Sequence, residues 1–181
     1  MEIFKRLVLF TITTVAAIFL MVWSLDSFGF RSPIFAFLVN WLVMSWVAIN
    51  GQVVHFSFAP GYYEIKPFEQ TGQVYERLGI RLFKRLVRHG LLSIFSPTLR
   101  FPKDKTIPAL RILESEMRKA ETGHVLTCIL MLMFIGYALL KGWLDAVVWM
   151  ALFNILFNAY PIMLQRYNRI KLQELIHEQG F

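Results

Sequence analysis

From Leu7 to Leu25 the chain carries no formal charge, and after six residues a second uncharged run extends from Ser32 to Phe58. At helical rise the first is about 28 Å long, the thickness of a bilayer's hydrocarbon core. Asn40, Ser45, Asn50 and His55 interrupt the second run, which should tilt or project from the bilayer at one end. Two further candidates, Val125 to Leu140 and Trp143 to Leu164, form a hairpin with only Lys141 and Gly142 between them. A composition that is 56% hydrophobic and 17% charged, with mean hydropathy +0.51, excludes an ordinary soluble domain. The expectation is an all-α integral membrane protein, a single membrane domain over residues 1–181. Four spans at 7–25, 32–58, 125–140 and 143–164 flank a partly helical connector at 59–123.

Basic residues set the expected orientation. Lys5 and Arg6 precede the first span, the connector holds twelve Lys or Arg, and Arg166, Arg169 and Lys171 follow the last span. The opposite turns hold only Arg31 and Lys141. By the positive-inside rule both termini and the connector face the cytoplasm in a multi-pass protein of the cell's inner membrane. A net charge of +7 placed beside spans points to membrane lipids as partners rather than to nucleic acid. The single cysteine, Cys128, lies within a span, which excludes an internal disulfide and a thiolate metal cluster. The first run exceeds a typical signal-peptide core, and Ser24-Leu25-Asp26 is a poor cleavage site, so a retained span is expected.

The connector is too long for a plain loop. From Val74 to Leu92, Tyr75, Leu78, Leu82 and Leu86 recur at helical spacing, while Arg77, Arg81, Lys84, Arg85 and Arg88 occupy largely the other side. That pattern predicts a basic amphipathic helix in the headgroup layer, weakened at Gly79 and stopped near Gly90. Pro97, Pro102 and Pro108 make 96–108 irregular. Pro108 suits the first turn of a second helix, whose stripe of Leu110, Leu113 and Met117 leads toward the third span.

Polar groups at the ends of these spans are costly unless they do something. Glu121 and His124 stand three residues apart, on one helical face, where a carboxylate could orient an imidazole as a general base. The plainer alternative is that both mark the headgroup boundary. Asn50 and His55, Asn154 and Asn158, and Gln165 and Arg166 fall at a similar expected depth. The asparagines could equally join helices. Pro161 leaves the Phe157 carbonyl without its helical partner. Arg166 and Arg169 could hold a phosphate or carboxylate, or anchor the helix by snorkelling, with Tyr167 and Asn168 fixing the exit geometry. There is no Gly-rich phosphate loop, Gly-x-Ser-x-Gly elbow or His-Glu-x-x-His zinc motif.

Glu121-Thr-Gly-His124 and Asn158-Ala-Tyr-Pro161, followed by Gln165-Arg-Tyr-Asn-Arg169, resemble the C-terminal half of the glycosyl-4,4'-diaponeurosporenoate acyltransferases, membrane enzymes of carotenoid glycoside synthesis. Phe68-Glu69-x-x-Gly72-x-x-Tyr75 is similar too, and the likeness spans roughly 67–172. The resemblance implies transfer of a fatty acyl group to a sugar hydroxyl of a lipid-like glycoside, as in a staphyloxanthin-type pigment. Ile170 stands where the family has proline, which bears on the acceptor more than on the chemistry. A mechanism compatible with residues and resemblance has His124, oriented by Glu121, as base and Asn158 as oxyanion donor. Arg166 and Arg169 would hold an acyl-CoA or acyl carrier protein donor. Asn154, Gln165, Tyr167, Asn168, His55 and Glu69 complete the expected substrate contacts, with no metal and no permanently bound cofactor. A four-helix scaffold subunit, or a membrane methyltransferase or reductase acting on an isoprenoid, are the alternatives.

Overall fold

The computed structural model describes residues 2–54, 56–89 and 106–179, and among these every regular element is helical. In chain order they are α1 (Glu2–Phe28), α2 (Pro33–Val54), the single turn α3 (Pro60–Tyr63) and a 3-10 turn (Pro67–Glu69). Then come α4 (Gln73–Arg77), α5 (Ile80–His89), α6 (Ile107–Leu140), α7 (Leu144–Asn154), a π-helical turn (Ile155–Ala159) and α8 (Tyr160–Gln179). Four helical stretches, Ile3–Phe28, Pro33–Val54, Ile107–Leu140 and Leu144–Glu178, are long and apolar enough to cross a membrane. The second ends at Val54, short of the expected Phe58, and the third begins far upstream, with Pro108 in its first turn.

The chain forms two compact units, one of Met1–Phe56 with Gly123–Ala159 and one of Ser57–Thr122 with Tyr160–Phe181. In the first, α2 is the central element. Phe35, Ala36, Val39, Val43 and Val47 recur at three- and four-residue steps, so one face of α2 is buried with Met131 of α6 and Met150 of α7. Aromatic rings close one end, Phe30 meeting Phe35, Tyr137 and Trp143 at 5.2 to 5.4 Å between centroids. There the Arg31 Nε reaches both Asp145 oxygens, at 3.0 and 2.9 Å, joining the two short turns. Helix α1 is largely exposed and touches α2 through hydroxyls: Trp46 Nε1 donates to Thr14 Oγ1 (2.9 Å) and Thr13 Oγ1 to Asn50 Oδ1 (3.2 Å).

The second unit packs the short connector helices on α8. Tyr75 and Ile80 bury against Leu164, Tyr167 and Ile170, and Leu110 and Met117 of α6 against Leu172. The helix expected from Val74 to Leu92 is instead two helices. They break at Gly79, whose φ of 80° lies in the left-handed region that helices exclude. The expected stop at Gly90 and the irregular stretch as far as residue 105 lie outside the described residues.

Gly72 precedes α4 with φ 69°, and a Cβ there would stand 3.0 Å from the Tyr167 ring. Gly72→Ala is expected to destabilise the protein by about 1–3 kcal/mol through backbone strain and the clash. Gly61→Ala, whose Cβ would meet nothing closer than 3.9 Å, should be near neutral. Thermal unfolding of the purified proteins in detergent checks both.

Candidate functional site

The predicted polar residues fall into two groups, one in each unit. In the second unit, Pro67–Glu69 turns the chain so that the Lys66 backbone N–H donates to Glu69 Oε2 (3.3 Å) and aims the carboxylate inward. It meets Arg166 on α8, whose Nε and Nη2 donate to Glu69 Oε1 and Oε2 at 3.1 and 2.7 Å. Arg166 Nη1 donates to Glu121 Oε1 (2.9 Å), and the second Glu121 oxygen accepts from Arg169 Nη1 at 2.6 Å. Backbone carbonyls of Tyr62 and Glu64 and the Tyr75 hydroxyl complete the shell of Arg166, so all five guanidinium N–H groups are engaged. Arg169 Nη2 donates to the Tyr63 carbonyl, and its side chain is fully buried. The cluster of two carboxylates and two guanidiniums is neutral overall, the condition under which buried charge is tolerated.

Arg166 and Arg169, expected to hold an acyl carrier's phosphates, turn their guanidiniums toward internal acceptors in this structure. All five Arg166 hydrogens are taken by Glu69, Glu121, Tyr75 and carbonyls, whereas Arg169 makes one bond from each Nη and its Nε has no partner among the described residues. Burial opposes the Glu69 carboxylate, but the hydrogen bonds and charge of Arg166 outweigh it and hold its pKa below the ordinary carboxylate range. Burial pushes the Tyr75 phenol up to about 12, and burial together with the Glu121 charge raises that of Tyr62. Other predicted contacts are likewise internal. Tyr167 Oη donates to Glu76 Oε1 (2.7 Å), Asn168 Oδ1 accepts from Lys84 Nζ (2.8 Å), and Gln165 is buried with Oε1 unpartnered among the described residues. His55 lies outside the described residues.

In the first unit the polar group is a chain of amides. Asn154 Nδ2 donates to the Cys128 carbonyl (3.3 Å), and its Oδ1 accepts from Asn158 Nδ2 (2.8 Å). The other Asn158 hydrogen goes to Asn40 Oδ1 (3.2 Å). Both donors of Asn158, the expected oxyanion donor, are thus engaged within the amide chain. Its Oδ1 faces His124 Nδ1 at 3.5 Å. Since that oxygen only accepts, the contact favours the tautomer with the ring proton on Nδ1. The Phe157 carbonyl, which Pro161 cannot serve as a donor, belongs to the residue before Asn158, and the helix takes π form over these residues. Thus His124 and Glu121, expected to pair, each have other partners: an amide for the imidazole, two guanidiniums for the carboxylate.

Asn40 escaped the sequence reading as a site residue, although an amide within an otherwise apolar span is a signal for a buried partner. It is fully buried, and its Nδ2 has no partner among the described residues. Tyr62 and Tyr63 were also missed, because they serve the arginines through backbone carbonyls, which carry no sequence signal.

The fold and these two clusters define a small helical membrane protein with buried polar machinery. A family model described as glycosyl-4,4'-diaponeurosporenoate acyltransferase matches residues 59–178, more than half of the chain, and the chain belongs to that family. The family's name denotes an acyltransferase acting on a carotenoid glycoside. The match takes in Glu69, Glu121, His124, Asn154, Asn158, Arg166 and Arg169, and leaves α1 and α2, with Asn40, outside it. Neither the curated proteins nor the solved structures compared with the chain give a match.

Arg166→Met strands the buried Glu69 carboxylate and leaves Glu121 with Arg169 alone, and a loss of about 3–5 kcal/mol is expected. Arg166→Lys should restore little of it, because an ammonium cannot span Glu69 and Glu121 in the same plane. Glu69 has a native pKa below the unfolded value of 4.5. Its stabilisation is therefore full above 4.5 and declines as pH falls toward the native value. Thermal midpoints in detergent should drop over that acid window, and Glu69→Gln should lower the midpoint at neutral pH while flattening its acid dependence.

Proposed function

We propose that the protein transfers a fatty acyl group from a thioester, an acyl-CoA or an acyl carrier protein, to a sugar hydroxyl of a glycosylated isoprenoid or related glycolipid, with His124 as general base. Family membership supports the reaction class, and the observation that supports His124 is the amide chain, which presents an acceptor oxygen to its Nδ1 and so favours a free Nε2 lone pair. In this mechanism Nε2 accepts the proton of the acceptor hydroxyl as its oxygen attacks the thioester carbonyl. The tetrahedral intermediate then collapses, the carbon–sulfur bond breaks, and the imidazolium returns the proton to the departing thiolate.

The roles differ from those suggested by spacing alone. Asn158 and Asn154 are positioning residues, holding the ring in one tautomer. Glu121, Glu69, Arg166 and Arg169 keep the connector folded on α8 and do not touch donor or acceptor. Both termini and the connector lie in the cytoplasm of the inner membrane in this reading, supported by the excess of Lys and Arg on that side.

His124→Ala is expected to reduce acyl transfer by roughly 100-fold or more, the scale of general-base catalysis, while the protein still inserts and purifies. Radiolabelled acyl-CoA with membrane glycolipid extracts, resolved by mass spectrometry, reads the product. Undiminished turnover by this variant would remove His124 from the chemistry and leave the amide chain as helix packing. Asn158→Leu should lower kcat with less effect on the apparent KM, because it frees the ring without removing the base.

A further inference from the structure

Helix α5 has two apolar faces, and only one is covered. At 100° per residue, Ile80, Phe83 and Val87 share the face turned to α8, where the Phe83 ring stacks on Tyr160 at 5.0 Å and Lys84 reaches Asn168. Ile80 and Val87 are buried there. Leu82 and Leu86 point the opposite way and are 60% and 54% exposed, with Leu78, 51% exposed, in the turn before them. Arg81, Arg85 and Arg88 are exposed along the flank between the two faces, and exposed Arg77 continues that row at the end of α4. An open groove lined by Phe68, Thr71, Gln73, Val74, Arg77 and Leu78 extends the surface, with Phe68 itself 69% exposed.

We propose that this outer surface of α4 and α5 docks on an anionic lipid monolayer, with Leu78, Leu82, Leu86 and Phe68 entering the acyl boundary and the arginine row lying among headgroup phosphates. Charge and proximity select this occupant. The leucines offer apolar area and the flank is cationic, the combination that binds an anionic interface rather than a neutral one. The same chain carries four helices apolar enough to cross a bilayer. The docking is independent of the catalytic assignment of His124.

The test uses the full chain with Cys128→Ser and Leu82→Cys, so that one thiol carries a fluorophore at position 82. It is reconstituted in vesicles of phosphatidylcholine with or without phosphatidylglycerol. Quenching by brominated lipid together with protection from acrylamide in the anionic vesicles, both lost at high salt, is the expected result. Arg77→Glu with Arg85→Glu and Arg88→Glu should abolish that quenching without changing the thermal midpoint, because all three side chains are exposed. The proposal is overturned if acrylamide reaches the label in both lipid compositions. It is also overturned if the label is protected from acrylamide yet untouched by brominated lipid, which would mean that protein covers the leucines. Quenching that is insensitive to anionic lipid, salt and the three reversals would equally remove the arginine row from the interaction.

Discussion

The pairing of Glu121 with Arg166 and Arg169, closed by Glu69, is the contact on which the connector's structure depends. The connector helices are too short to persist alone, and α3 and α4 span four and five residues. What fixes them is the need of a buried guanidinium for acceptors from several directions. Arg166 draws carbonyls from 62 and 64 and a carboxylate from 69 to one point on α8. Replacing such a cluster with apolar side chains could be as stable, so its distinctive effect is directional: three chain segments have one way to satisfy it.

The two units solve the same problem differently. Buried polar groups of the first unit are neutral amides joined head to tail, each oxygen accepting from the next nitrogen, with a carbonyl at one end and an imidazole at the other. Neutral amides suit helices apolar enough to lie in hydrocarbon, where a full charge is most expensive. The second unit uses full charges in compensating pairs.

Much of the fold was legible because hydropathy and length are local properties. The uncharged runs located four helices long and apolar enough to cross a membrane, and Pro108 placed the start of α6 within a residue. Partners were less legible than positions. Glu121 and His124 share a helical face by spacing, but spacing could not reveal that two arginines some 45 residues on would claim the carboxylate. Similarly, Leu78, Leu82 and Leu86 gave the apolar period of the connector, whereas its packed face is Ile80, Phe83 and Val87. The break at Gly79 resets the helix phase, and a period measured across it mixes two elements. Glu69 entered through family likeness rather than through its own chemistry, since a lone glutamate after proline and phenylalanine has no intrinsic signal.

Helix α1 joins its neighbour through hydroxyl contacts, the Phe10 ring against Trp46 and a partly buried Met21, and otherwise presents isoleucine, leucine, valine and phenylalanine outward. It contributes no side chain to either polar cluster described above. Selection on such a helix is loose: its outward positions can exchange one aliphatic group for another, while Thr13 and Thr14 stay fixed by the indole and amide they satisfy. Its outward positions therefore ask chiefly for hydrophobic length, whereas Thr13, Thr14 and the buried Ser24 ask for a hydroxyl.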